Sequence, residues 1–363
     1  MKQWGQRLLA WYDAGHRDLP WRDTRDPYAI VVSEIMLQQT RAETAVPYYL
    51  AFLRRFPSWQ ALSASGEGEL LKAWEGLGYY SRARNLQRLS REVVRLGELP
   101  RRREELLRLP GIGPYTSAAV AAIAFGEPVV AVDGNVKRVM ARFACIRESV
   151  DSREGAGRVE ETATGLLDEA RPGDFANALM ELGACVCTPR HPRCGECPLE
   201  RGCRGRGEGR QEALPVKRKK APPVRVEKTV LLVLFGRQVA VWRSGDGMLQ
   251  GMYLFPELPG HLSPEEAACA LREKGLTCGE ARELGSARHV FTHRVWEMRI
   301  IAMKSAAPGP WRLVTREELM ELPMPAAESA ARSMALALLQ EGGDTGKHSP
   351  WGAEEGTSWG FVR

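Results

Sequence analysis

Leu109-Pro110-Gly111-Ile112-Gly113-Pro114-Tyr115-Thr116 joins two helical stretches and sets the character of the first half of the chain. Gly111 and Gly113 allow a tight turn and expose amide N–H groups, and a helix begins at once after them. Bare amides at a helix N-terminus bind phosphate, which makes this hairpin a candidate DNA-backbone contact. Gly-x-Gly alone also fits a plain corner between helices. Outward from the hairpin, Gly5–Tyr12, Leu86–Leu96 and Val159–Leu167 repeat apolar residues every three or four positions, a helical period. Pro27, Pro57, Gly97, Pro110, Pro128 and Pro172 separate such stretches. No alternating strand pattern stands out here, so residues 1–206 are expected to form an all-α unit.

Beyond it the pattern changes. Thr229–Phe235, Gln238–Arg243, Arg288–Phe291 and Trp296–Met303 are short and rich in Val, Ile, Leu and Phe, as strands are. Pro264–Lys274 and Ala326–Gln340 look helical, so 226–341 is expected to be an α+β domain. Between the two, 207–225 reads as a basic interdomain linker. Residues 204–228 hold nine Arg and Lys against three Glu, a surplus equal to the whole chain's net charge of +6. Such a run is a solvated tether or a strap for phosphates. The Gly-, Ser- and Glu-rich end, 342–363, is expected to be a disordered tail. A length of 363 residues with 44% hydrophobic and 26% charged content suits two globular domains. The longest apolar runs, Ala118–Phe125 and Val230–Phe235, are too short to span a bilayer. With no apolar signal segment after Met1, a cytoplasmic protein is expected, nucleoid-associated in a bacterial cell.

Of eight cysteines, Cys187, Cys194, Cys197 and Cys203 form C-x6-C-x2-C-x5-C. Four thiolates suit an all-cysteine zinc site or a [4Fe–4S] cluster. Zinc sites favour two close Cys-x-x-Cys knuckles. Only one close pair occurs here, which favours iron. Cys185 is expected to pack in a helix end, and Cys145, Cys269 and Cys278 to be ordinary core or surface cysteines. Arg190, Arg193, Arg201 and Arg204 around the loop are candidates to meet phosphates.

Two carboxylates remain. Asp133, in Val132-Asp133-Gly134-Asn135-Val136-Lys137-Arg138, reads first as the N-cap of a helix Val136–Phe143. Glu34, in Ser33-Glu34-Ile35-Met36-Leu37-Gln38-Gln39-Thr40, is almost surrounded by Val31, Val32, Ile35, Met36 and Leu37. A desolvated Glu34 holds its proton near neutral pH and can donate it to a leaving group.

Together with Leu19-Pro20-Trp21-Arg22 and Gly76-Leu77-Gly78-Tyr79-Tyr80-Ser81-Arg82, these motifs resemble the adenine DNA glycosylases of the MutY type. That family belongs to the helix–hairpin–helix superfamily that includes endonuclease III. The resemblance runs from about Trp11 to Pro325. It implies a [4Fe–4S] cofactor and a monomer that hydrolyses the glycosidic bond of adenine in duplex DNA, opposite 8-oxoguanine or guanine. Glu34 matches the family's general acid and Asp133 the carboxylate that steadies the sugar cation, with Tyr115 and Asn135 orienting them. Gln39 and Tyr79 match wedge residues that fill the gap left by an extruded base, and Arg17, Trp21 and Arg22 match the adenine pocket. Asn177 is placed to read an adenine edge.

Tyr115 stands where lyase members of the superfamily carry a lysine, so little strand cleavage is expected, with Lys137 the one nearby amine for incidental trapping. The second domain resembles the family's Nudix-like reader of 8-oxoguanine, with Phe291, Thr292 and His293 matching its recognition loop and Thr292 replacing the usual serine. The helix near Glu265, Glu266 and Glu273 lacks the glutamate run of Nudix hydrolases, which implies binding without pyrophosphate cleavage. Two rival readings, a pyrimidine glycosylase with lyase activity and a non-catalytic iron–sulfur protein, are opposed by Tyr115 with the second domain and by the Glu34 and Asp133 pair respectively.

Overall fold

The computed structural model describes residues 1–218 and 221–341. Lys219 and Lys220 of the expected linker, and the whole expected tail 342–363, lie outside the described residues. The described residues form two compact units, one of residues 1–66 and 79–218, the other of 67–78 and 221–341.

In the first unit the longest elements are the helices Lys2–Ala14, Pro27–Met36, Ala42–Arg55, Ser81–Leu96, Pro114–Phe125, Gly134–Phe143, Arg153–Leu166 and Pro172–Cys185. Their ends follow from the sequence. The Asp26 carboxylate accepts the Tyr28 N–H at 3.0 Å, with Pro27 at the first helical position. Asp133 accepts the Val136 N–H at 2.7 Å, and Ser152 accepts that of Gly155 at 3.1 Å. Gly126, in the left-handed region at φ 70°, closes Pro114–Phe125.

Every residue from Tyr28 to Met36 is buried, as a helix apolar on all sides must be. It packs against Pro114–Phe125, so the helices that carry Glu34 and Tyr115 are neighbours. A second core joins Lys2–Ala14, Gly134–Phe143 and Pro172–Cys185 through Leu8, Leu9, Val139, Met140, Phe175 and Leu179. Burial of each such large side chain contributes roughly 1.5–3 kcal/mol.

Part of the stretch expected to be a solvated linker runs along this helical unit. Leu214 is buried and its carbonyl accepts Arg142 Nε at 3.0 Å. The Val216 carbonyl accepts the Val150 N–H at 3.0 Å. A buried guanidinium needs acceptors and Leu214 needs cover, and the composition of the segment hides both needs.

The second unit holds a seven-stranded sheet. Its strands are β1 (Val224–Phe235), β2 (Gln238–Arg243), β3 (Tyr253–Leu254), β4 (Glu257–Pro259), β5 (Cys278–Val290), β6 (Arg294–Ser305) and β7 (Arg312–Val314). The order is β3-β2-β1-β6-β5, with β4 on β1 and β7 on β2. β1 and β6 run parallel, from Val224 opposite Arg294 to Leu234 opposite Lys304. The helix Pro264–Glu273 covers the sheet through Ala267 and Leu271. Its Ser263 and Glu266 form a capping box, so Glu266 is spent on helix initiation.

β5 is far longer than Arg288–Phe291. Gly279, Gly285 and several charges break its apolar pattern, and its pairing with β6 slips twice, between Cys278 and Ala281 and between Glu283 and Gly285.

Gly111 takes φ 77°, and a Cβ there would lie 2.6 Å from Asn85 Cβ. We therefore expect Gly111→Ala to destabilise the protein by about 2 kcal/mol in denaturant unfolding; an unchanged midpoint would contradict this account of the hairpin.

Candidate active site and iron–sulfur loop

Within the helical unit a cavity of about 750 Å³ is walled by residues far apart in sequence, among them Trp21, Glu34, Gln39, Tyr115, Asp133 and Asn177. Such a volume suits a small-molecule-sized guest. Glu34 is 3% exposed. Burial pushes its carboxyl up to about 7; the Tyr115 hydrogen bond opposes this, and the charge of Asp133 adds to it. The Tyr115 hydroxyl donates to Glu34 Oε2 at 2.7 Å and also lies 3.0 Å from Met180 Sδ.

Asp133 holds the start of its own helix, as the sequence implied, and lines the same cavity. Burial raises its carboxyl, while hydrogen bonds from Val136 and Asn135 and the nearby Arg138 pull it down. Asn135 Nδ2 donates to Asp133 Oδ2 at 2.9 Å. Its own Oδ1 accepts from Arg138 Nη2 at 2.8 Å, whose Nε reaches the Cys187 carbonyl at 2.8 Å. Lys137 is instead 4.0 Å from Asp151 and does not line the cavity.

Arg17, Trp21 and Arg22 also line it, but the guanidiniums converge on a residue the sequence reading passed over. Glu181, 2% exposed, receives Arg17 Nε at 2.9 Å, Arg17 Nη2 at 2.8 Å and Arg22 Nη2 at 2.6 Å. Burial raises the Glu181 carboxyl, yet the hydrogen bonds from Arg17 and Arg22 outweigh it and hold the group at about 2. The signal was available, since Leu179-Met180-Glu181-Leu182 sets a carboxylate in an apolar helix just as Glu34 is set. Asn177, 8% exposed, lies one turn earlier on the same helix and faces the cavity.

Gln39 and Tyr79 share an uncommon backbone. Both are non-glycine residues in the left-handed region, at φ 62° and 48°, a conformation that costs on the order of 1–3 kcal/mol each and collects at functional sites. Tyr79 is 47% exposed. Gly111 and Gly113 form the turn before Pro114–Phe125, with Gly113 as N-cap, away from the cavity lining.

Phe291, Thr292 and His293 belong to the other unit, at the tip of the β5–β6 hairpin. The Phe291 N–H donates to the Arg294 carbonyl at 2.8 Å. The Phe291 ring packs edge-on against His289 and Trp296, with centroids 4.5 and 4.8 Å away. Thr292 and His293 are exposed.

Cys187, Cys194, Cys197 and Cys203 line one small cavity with Val186, Pro192 and Arg142. All four are free thiols. Burial pushes the Cys197 thiol up to about 12, helped by the charges of Cys187, Cys203 and Cys194 and opposed by the Leu199 N–H. Arg142 Nη1, at 3.3 Å from Cys187 Sγ, is the cation nearest that sulfur among the described contacts. Four soft donors gathered in one half-buried space fit a group that brings its own positive charge.

Residues 32–165 match the HhH-GPD superfamily of base excision DNA repair proteins, 187–203 the iron–sulfur binding domain of endonuclease III, and 229–332 a NUDIX domain. A mouse adenine DNA glycosylase is 35% identical, the match covering 86% of this chain and 73% of that protein. The chain belongs to the adenine DNA glycosylase family. A human member is 36% identical over 79% of this chain, which spans 64% of the human protein's length. A Mycolicibacterium smegmatis member is 43% identical over 56% of this chain and 69% of its own. A solved thermostable thymine-DNA glycosylase superposes with a TM-score of 0.52 at 30% identity, over 57% of this chain and 96% of that one. The cofactor of this glycosylase-family chain is a [4Fe–4S] cluster. Among the described residues no helix is long and apolar enough to cross a membrane.

The Glu181 ion pairs carry a stability prediction. Because this carboxyl lies below its ordinary 4.5, at about 2, its contribution is present above pH 4.5 and lost as pH falls toward 2. Glu181→Gln leaves Arg22 buried beside a neutral amide and is expected to cost about 3 kcal/mol at pH 7. Wild type and variant are expected to converge in stability at acid pH. A variant as stable as wild type at pH 7 would show that the pairs contribute nothing.

Proposed function

We propose that this chain is a monofunctional, adenine-specific DNA N-glycosylase acting as a monomer on duplexes in which adenine lies opposite 8-oxoguanine or guanine. The observation that carries the reading is a carboxyl raised to about 7, hydrogen-bonded to a phenol and facing a second carboxylate in one cavity. Excision of a neutral base requires a proton on the base and charge stabilisation at the sugar. Tyr115 occupies Oε2, so the Glu34 proton to be given up sits on Oε1 and passes to a ring nitrogen of the extruded adenine. The C1′–N bond then breaks with its electron pair going to the base. Asp133, steadied by Asn135, faces the oxocarbenium-like sugar until water adds its hydroxide at C1′ and the remaining proton restores the acid. Tyr115 offers a phenol where an imine would need an amine, so the strand stays joined.

Arg17, Trp21, Arg22 and Asn177 wall the base, with Glu181 fixing the two arginines. Gln39 and Tyr79 enter the stack that the base leaves, a move that requires flipping before chemistry. Gly111 and Gly113 offer amides to the backbone phosphates. Cys187, Cys194, Cys197 and Cys203 hold the [4Fe–4S] cluster as thiolates; when bound, the cluster supplies the charge that orders this loop for DNA docking. Residues 1–206 form the catalytic module and 226–341 the reader, in which Phe291, Thr292 and His293 contact 8-oxoguanine.

The test is single-turnover adenine release from an adenine:8-oxoguanine duplex. The protonated acid is the active form, so the rate is expected to fall as pH rises through about 7. Glu34→Gln is expected to lose at least ~10²-fold, and product strands should break only after alkali. Full activity in Glu34→Gln, or thymine release in place of adenine, would overturn the reading.

A further inference from the structure

One buried guanidinium, outside the cavity lining, touches the residues on both sides of Gln39 and the Tyr79 ring. Arg82 is 7% exposed. Its Nη1 donates to the carbonyls of Ile35 and Met36, each at 2.9 Å, and to that of Gln38, while Nη2 reaches Thr40 Oγ1 at 3.4 Å. The first two carbonyls are among the last of the helix that carries Glu34, which have no acceptor role left inside that helix. The other two partners bracket Gln39, whose left-handed backbone at φ 62° nothing in its own side chain explains. The guanidinium carbon also lies 5.7 Å from the ring centre of Tyr79, and the Arg82 N–H donates to the Tyr79 carbonyl at 2.8 Å. A planar fork that serves several acceptors at once while stacking on a ring is a task for arginine that a lysine ammonium cannot copy.

We infer that Arg82 is a positioning residue that sets the Gln39 turn and the Tyr79 ring together and ties both to the end of the Glu34 helix. Base extrusion and placement of the acid are then one coordinated event. This rests on the reading of Gln39 and Tyr79 as the wedge.

The experiment uses the full chain with its cluster and an adenine:8-oxoguanine duplex carrying 2-aminopurine beside the adenine. Wild type is expected to give a fluorescence rise on binding, before excision. Arg82→Lys is expected to lose most of that rise and about a hundredfold in single-turnover rate, with affinity for undamaged duplex within about twofold, since phosphate contacts dominate that affinity. Tyr79→Ala should then cost little more in the Arg82→Lys background, because the two act as a unit. Thr40→Val, which removes one acceptor and spares the core, should lower both signals by a smaller factor, and it keeps the test decisive if Arg82→Lys does not fold. A full rise and full rate in both variants, or additive losses with Tyr79→Ala, would overturn the role of Arg82. No rise in wild type would instead overturn the wedge reading, and this inference with it.

Discussion

The contact between the Tyr115 hydroxyl and Glu34, at 2.7 Å between two tightly packed helices, is the constraint on which the rest of the site depends. Burial raises the Glu34 carboxyl, and the phenol's donated hydrogen bond opposes that rise. Much of the helical unit can be understood as fixing those two helices: the fully buried Pro27–Met36 segment, the alanine-rich Pro114–Phe125 packed on it, and the glycine hairpin that starts the latter.

Charge around the cavity is arranged by the same logic of pairing. The hydrogen bonds from two guanidiniums keep Glu181 ionised, whereas Glu34 is poised by its burial, opposed by the Tyr115 hydrogen bond and helped by the charge of Asp133. Two buried glutamates on neighbouring walls thus sit at about 2 and about 7, and only the second can trade a proton near neutral pH. The Asp133 carboxyl is raised by burial and restrained by the Val136 N–H and Asn135. Arg138 reaches from that asparagine to the Cys187 carbonyl, so Asp133 and the cysteine loop share one set of hydrogen bonds.

Sequence patterning was most informative where burial is local. Glu34 could be singled out because its own helix is apolar on both sides, and Asp133 as a cap because a helix follows it. Glu181 carries the same signature, yet its role depends on Arg17 and Arg22, more than 150 residues away. Arg82 is less legible still, because its partners are backbone carbonyls that any sequence provides. The left-handed turns at Gln39 and Tyr79 leave no trace, since neither position is a glycine. In the second unit the early residues of β1 and most of β5 alternate charges and glycines with small side chains, and pairing with β6 defines them where local preference does not.

The central claim is that a glutamate holds its proton near neutral pH because it is desolvated, with a phenol and a second carboxylate setting the balance. An NMR titration of carbon-labelled glutamate side chains in the folded, DNA-free protein, with Glu34→Gln used to assign the resonance, measures this directly. A Glu34 carboxyl titrating at about 7 is the predicted result. A midpoint at the ordinary glutamate value of 4.5 would contradict it.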